Sequence, residues 1–550
     1  MMFSFIKQTY QTVTFSEKKF LFWIILTILF LTSIVSIYAS LIEGDNFVYT
    51  GVDARAGSDK TVYFSQIEQA RQGQILFKNL YTSEPQQARF FAPLWLVLGW
   101  LGKITVLANS AVFQLTRLVL GAFFLFLMYL FTAKVFKKIF YRKLSFIILS
   151  FSSGFGIFTL KRYISEEVMY EHFGTDLWVS EGNTFLTLAH SPLFILSQIF
   201  ILLIFWWIIE RLRTGSYLEA AGIGLFTLFL GSFHPYDLVT IYAVLGVWLI
   251  IECWREKKII WPAVIKTAII GAISCLAVIY FLWLFKSVPA IGGWASQNLT
   301  VSPRFLNYLF GYGLLFFTSA WALFRLAKSG NTYYRFLSVW LIVNWFLLFV
   351  PLQFQRRLSN GMHVPIALIG SIGLILIFNQ ANKKFSKLVK NTVCQSIVIP
   401  VIILSLFITN LFNIFLGVVV LSPKNYPQMI TKPVYEAMVW IKNNLDADDI
   451  ILADPIIGNI IPSITGGLVY IGHGHQTVDW ETKRAKVVYW FFAGNKSDQK
   501  KQAWLKQEKI DYVFFSSVED DLGSFEPGEK DYLKKVYDNG EVKIFKVKVK

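Results

Sequence analysis

The sequence predicts an α-helical polytopic membrane protein of about 11 transmembrane helices, followed by a small extracytoplasmic α/β domain. Three observations predict it. Of 550 residues, 55% are hydrophobic and 16% charged, where soluble domains carry about 25% charged residues. The mean hydropathy is +0.51, and apolar runs recur near the length of about 20 residues that crosses a bilayer. After Leu421 the composition turns charged and ordinary. A soluble cytosolic enzyme, a disordered chain and a fibrous repeat are excluded.

The spans fall near 20–41, 111–133, 144–160, 185–209, 217–233, 237–253, 263–285, 304–326, 336–352, 363–380 and 395–420. Lys7, Lys18 and Lys19 precede the first, whose apolar core is too long for a signal peptide despite the cleavage-like Tyr38-Ala39-Ser40. The apolar run 91–103 is short. Treating it as interfacial or re-entrant puts every basic loop on one side: Lys134 to Lys143, Arg211 and Arg213, Arg255 to Lys258, Lys328 and Arg335, and Lys383 to Lys390. Positive residues accumulate on the cytoplasmic side, so the N-terminus is expected inside and the C-terminus outside, in the plasma membrane. The same placement explains the net charge of +17 without nucleic acid as a partner. Cys253, Cys275 and Cys394 show no CxxC spacing, so neither a disulfide frame nor a zinc site is indicated.

Residues 1–420 are thus expected to form the membrane domain, with a large outer loop at 42–110, and 421–550 the outer domain. Pro423, Pro427 and Pro433 punctuate the join. Beyond it, strand-like runs (450–453, 512–515) alternate with helical ones (434–443, 498–509).

On this topology the candidate chemistry gathers outside. Asp59 stands where an N-cap would open a helix that closes at Gly73. It reads either as that cap or as a carboxylate poised as a general base, which could deprotonate a hydroxyl against a good leaving group. Arg356 and Arg357 lie outside against the positive-inside bias, beside Gln353, Gln355 and His363. Their guanidinium groups suit phosphate oxygens, or snorkel to lipid headgroups. Arg304 is a weaker candidate of the same kind. The loop 161–184 carries Glu166, Glu167, Glu171, His172, Asp176 and Glu181, with His190 just beyond. Such a cluster can bind a metal, orient a hydroxyl or simply be solvated, and it has no HExxH-type spacing. His234, before Pro235, reads as a structural corner that could also hydrogen-bond a ligand. The glycines of Gly472-His473-Gly474-His475 read as tight turns. No P-loop, GxGxxG, nucleophile elbow or CxxC pair is present.

The pattern as a whole resembles the GT-C superfamily of integral-membrane glycosyltransferases, and most closely uncharacterised bacterial members. It is carried by Asp59-Lys60-Thr61-Val62-Tyr63, Ser180-Glu181-Gly182-Asn183, His234-Pro235-Tyr236, Trp294-Ala295-Ser296-Gln297-Asn298, Gln355-Arg356-Arg357-Leu358 and Tyr470-Ile471-Gly472-His473. The resemblance implies a polyprenyl-phosphate-linked sugar donor and an unknown glycan, lipid or protein acceptor. It implies Asp59 as the general base of an inverting transfer, with Arg356, Arg357 and Arg304 on the donor phosphate. Tyr63, Asp176, Glu181, His190, His234 and Gln355 are the candidate substrate contacts. No cofactor is implied. Lys60 follows Asp59 where many members pair a second acid, which leaves a divalent metal open and Asp53 as the alternative base. Gly474-His475-Gln476 replaces the Trp and Glu usual after Gly-His. A transporter or flippase of a lipid-linked substrate, or a non-catalytic scaffold, is the alternative reading.

Overall fold

A computed structural model describes residues 4–52, 57–160, 172–326, 329–384, 392–494 and 496–548. Among the described residues the α-helices up to residue 287 are α1 (Ser4–Gln11), α2 (Phe15–Ile42), α3 (Gly57–Arg71), α4 (Pro93–Thr105), α5 (Asn109–Val135), α6 (Ile139–Phe151), α7 (Thr184–His190), α8 (Pro192–Arg211), α9 (Tyr217–Phe233), α10 (Asp237–Glu256) and α11 (Trp261–Ser287). There follow α12 (Pro289–Gln297), α13 (Phe305–Leu326), α14 (Thr332–Leu347), α15 (His363–Lys384) and α16 (Thr392–Leu421). Among the described residues seven helices are long and apolar enough to cross a membrane: α2, α5, α8, α10, α11, α13 and α15.

Departures from the expected spans have local causes. The run 144–160 ends as α6 at Phe151, because Ser152 is extended and the amides of Gly154 and Gly156 turn to the Asp176 carboxylate. The run 185–209 divides into α7 and α8 at Ser191, which is extended and caps the Leu193 amide ahead of Pro192. Asn331 caps α14 by accepting from Tyr333 and Tyr334, and this helix stops at Leu347, ahead of Pro351. Helix α13 kinks at Gly313, whose φ of +49° favours glycine. Asp59 is not the N-cap of α3: the helix opens at Gly57, which puts Asp59 in its first turn.

The chain divides into two compact units, each discontinuous in sequence. One comprises Met1–Ile34, Leu115–Tyr280 and Thr300–Leu416; the other comprises Val35–Gln114, Phe281–Leu299 and Gly417–Lys550. The first is a helical assembly around a continuous apolar core that includes Tyr129, Trp206, Trp207, Tyr308 and Trp340. Within it, buried Glu17 accepts from Thr14, Tyr129 and Arg142, which ties the start of α2 to α5 and to α6.

The second unit is built on the tail. Strands β3 (Ile450–Leu452), β4 (Leu468–Val469), β5 (Tyr512–Phe515), β6 (Leu533–Asp538) and β7 (Lys543–Val547) form one sheet in the order β4-β3-β5-β7-β6. The β4–β3–β5 pairs are parallel and the β5–β7–β6 pairs antiparallel. Strand β5 is buried on both faces, as its unbroken apolar run Tyr-Val-Phe-Phe requires. Phe514 and Ile544 face α17 (Lys432–Asn444) and α18 (Pro455–Thr465), while Val513 and Phe545 face Val487, Phe491 and Trp504. Val62 and Tyr81 of the segment 42–110 belong to the former core. That segment also supplies a strand, Phe47–Tyr49, that pairs antiparallel with Met429–Thr431.

Helix α4 occupies the run read as interfacial. Thirteen residues rise only about 20 Å, too little to span the hydrocarbon. One face is buried on α3, where a Cβ on Gly99 would stand 2.3 Å from that of Ala70. The other leaves Val97, Trp100, Leu101 and Ile104 exposed.

Candidate active-site residues

Two groups of side chains stand out, one in each unit. In the helical unit the 3-10 turn Gln355–Ser359 carries the arginine pair, and Thr175–Leu177 with Ser180–Gly182 form the facing loop. The Arg356 amide donates to the carbonyl of Thr300 at 3.0 Å, which fixes the turn. The Arg356 guanidinium lies 4.9 Å over the Trp178 ring, and among the described residues its buried Nε has no hydrogen-bond partner. Arg357 takes Glu181 at 3.2 Å and lies 5.8 Å over Phe194. Burial pushes the Glu181 carboxyl up, but Arg356 and Arg357 outweigh it and hold the group below its usual value. Glu181 is therefore ionised, with both guanidinium groups acting on it.

Phe194 organises the histidines. His190 stacks on it at 5.4 Å and His234 meets it edge-on at 5.7 Å. His234 closes α9, with Nδ1 2.8 Å from Asp237 Oδ2. Asp237 in turn is held by Ser197 and by Asn360 Nδ2, which donates at 3.0 Å. Gln198 donates to Asn360 at 3.0 Å and to the Glu181 carbonyl at 3.3 Å, so a buried polar chain runs from His234 to Glu181. Hydrogen bonds shared in this way fix rotamers.

Of the expected residues, Arg356, Arg357, Glu181, His190 and His234 therefore come together. Asp176 is buried, and its Oδ2 accepts the amides of Gly154 at 2.8 Å and Gly156 at 3.3 Å. Burial raises its carboxyl to about 7. Gln355 is a staple, accepting from the Ser302 amide at 3.1 Å and donating to the Val350 carbonyl at 2.6 Å. Arg304 is exposed just before α13. Asp53, Glu166, Glu167 and Glu171 lie outside the described residues. Phe194, Ser197 and Gln198 escaped the sequence reading, because such side chains inside a long hydrophobic run carry no local signal, and Trp178 and Asn360 escaped it because no motif marks them in their loops.

In the second unit Asp59 projects from the first turn of α3, its side chain 38% exposed, with Oδ1 3.8 Å from His473 Nε2. Thr61, two residues on, donates to Asn459 at 2.8 Å and joins α3 to α18. Tyr63 stacks on Trp95 at 4.5 Å, which anchors α3 to α4. Lys60 is buried, its ammonium 5.6 Å over the Phe113 ring. Among the described residues no three His, Cys, Asp or Glu side chains gather as metal ligands would.

No protein-family model matches the sequence, and no curated protein does. Solved structures match by fold. The archaeal oligosaccharyltransferase AglB from Archaeoglobus fulgidus, in complex with an inhibitory peptide and a dolichol-phosphate, matches with a TM-score of 0.53 at 12% identity, over 92% of this chain and 70% of that one. ArnT from Cupriavidus metallidurans, bound to undecaprenyl phosphate, matches with a TM-score of 0.50 at 10% identity, over 96% of this chain and 97% of that one. Both are GT-C glycosyltransferases, and the fold of this chain is the GT-C fold.

Proposed function

We propose that the chain is a membrane glycosyltransferase that moves a sugar from a polyprenyl-phosphate donor to an acceptor hydroxyl on the extracytoplasmic face, with inversion. The observation that carries this reading is the half-buried arginine pair beside the Glu181 carboxylate, in a chain whose fold is shared with proteins solved with dolichol-phosphate and undecaprenyl phosphate.

Asp59 acts as the general base. The acceptor oxygen attacks the anomeric carbon as its proton passes to the Asp59 carboxylate, and the bond from that carbon to the phosphate oxygen breaks. Polyprenyl phosphate leaves with the electron pair. Arg356 and Arg357 stabilise the charge that grows on the phosphate, and stacking on Trp178 and Phe194 holds their planes without consuming their donors. Glu181, 3.2 Å from Arg357, holds that guanidinium in place.

The test is a transfer assay on detergent-purified protein with radiolabelled undecaprenyl-phosphate-linked hexoses and pentoses. Wild type is expected to release sugar to an acceptor or slowly to water. Asp59→Asn should lower kcat by about 100-fold or more with donor binding retained. Loss with Asp53→Asn alone would move the base to that residue. Saturable lipid binding without turnover of any donor would favour the flippase or scaffold reading instead.

A further inference from the structure

His473 is a buried imidazole in the loop after β4, and its surroundings determine where its proton sits. Its Nδ1 accepts the backbone N–H of His475 at 3.1 Å and of Gln476 at 3.2 Å. A ring nitrogen that accepts carries no hydrogen, so the neutral ring bears its proton on Nε2. That Nε2 is buried, has no hydrogen-bond partner among the described residues, and lies 3.8 Å from Asp59 Oδ1.

The ring is rigidly seated. Tyr81 packs edge-on against it at 5.9 Å. The loop is fastened by Thr477, which donates to the Tyr81 carbonyl at 2.7 Å and accepts from the Gly472 amide at 3.1 Å. Gly472 lies so close to α18 that a Cβ there would stand 2.5 Å from the Gly458 carbonyl oxygen. Burial pulls the imidazole down to about 4, against the opposing pull of Asp59, so the ring is neutral near pH 7. The result is one fixed N–H donor aimed at a half-buried carboxylate. Contacts of this sort often tighten from near 4 Å to hydrogen-bond length only when substrate is bound.

We propose that His473 is the positioning residue of Asp59, its Nε2–H holding one carboxylate oxygen so that the other is presented to the acceptor hydroxyl. The proposal rests on the reading of Asp59 as the general base. It gives the tail a direct part in the chemistry, in addition to the turn at 474–476.

Glutamine places an amide N–H near the position of Nε2, whereas asparagine leaves the Asp59 side empty. In the transfer assay with undecaprenyl-phosphate-linked sugars, His473→Asn should lower kcat on the order of 10- to 100-fold at unchanged donor KM. His473→Gln should recover most of that loss. A hydrogen bond to the ionised carboxylate lowers its pKa, so His473→Asn should also move the acid limb of the kcat/KM profile up by about 0.5–1 pH unit. Equal losses in both variants, tracking a common fall in Tm, would make the role merely structural and overturn the proposal. A normal defect in Asp59→Asn beside wild-type kinetics in His473→Asn would overturn it while leaving Asp59 as base. If Asp59→Asn is itself silent, the underlying reading fails. Independently of turnover, 15N spectra of histidine-labelled protein, with His473 assigned by its loss in His473→Gln, should show the Nε2–H tautomer, with a resonance that shifts in Asp59→Asn. An Nδ1–H tautomer would overturn the proposal outright.

Discussion

Arg356 and Arg357 are adjacent in sequence and meet different surroundings. Arg357 has a buried carboxylate at 3.2 Å, while Arg356 rests on the indole of Trp178. Their substitutions should therefore separate. Arg356→Ala should raise the KM for a polyprenyl-phosphate donor by roughly 10- to 100-fold with little change in thermal stability, as expected from losing one charge-assisted phosphate contact. Glu181→Gln removes a buried carboxylate 3.2 Å from Arg357, and should cost about 3 kcal/mol of stability. Unfolding of the two variants in parallel checks both statements, and a larger stability loss in Arg356→Ala would reverse the assignment. Sequence alone pointed to both arginines, because on the expected topology they fall on the outer side, against the positive-inside rule. It could not pair them, since Glu181 lies 176 residues away from Arg357.

Among the elements, the crossing of α13 with the loop after α6 decides whether the residues around Glu181 are placed at all. A Cβ on Gly154 would stand 2.1 Å from the Phe310 carbonyl oxygen, and one on Gly311 1.9 Å from Thr175 Oγ1. Gly154→Ala or Gly311→Ala should lower the yield of monodisperse protein or shift Tm down by several degrees, with a cost of about 2 kcal/mol or more. Glycine in an apolar run signals close approach only once the partner is known, so neither contact was legible beforehand. In the tail sheet the apolar run Tyr512–Phe515 was legible, because both faces of β5 are apolar, as was the helical run 434–443 within α17.

That sheet also carries a pH dependence. Glu519 accepts from Ser516 and from the Asp454 amide, and burial raises its carboxyl from 4.5 to about 7. Between those values the folded chain holds a proton that the unfolded chain has released. Stability contributed by protonated Glu519 is therefore fully present below pH 4.5 and is lost as the pH rises through about 7. The slope is at most about 1.4 kcal/mol per pH unit. Denaturant melts from pH 5 to 8 should show it, and Glu519→Gln should flatten it. Asp454, also raised by burial, adds in the same sense.

At the scale of the whole molecule, the sequence reading separated a membrane part from a tail at residue 421, a division drawn from composition. Composition cannot reveal that the loop 42–110 shares a core with the tail, as Val62 and Tyr81 do with Val434, Met438 and Ile460. The tail expressed alone should therefore be poorly soluble, and truncation after Leu421 should leave Phe47–Tyr49 without its partner strand and abolish folded protein. Size-exclusion profiles of the two fragments test this. A monodisperse, folded 422–550 fragment would count against it.

The pairing of Phe47–Tyr49 with Met429–Thr431 also sets a timetable. During synthesis the first outer loop emerges and must wait for a partner strand about 380 residues later. At roughly 5–20 residues per second the wait is about 20–80 s. Throughout it an unpaired strand edge and the apolar side of α3 stand exposed, so assembly of this unit depends on delivery of the last quarter of the chain. Slowed translation between the loop and residue 431 should trap the loop in aggregates, while the same delay within α1 or α2 should pass unnoticed.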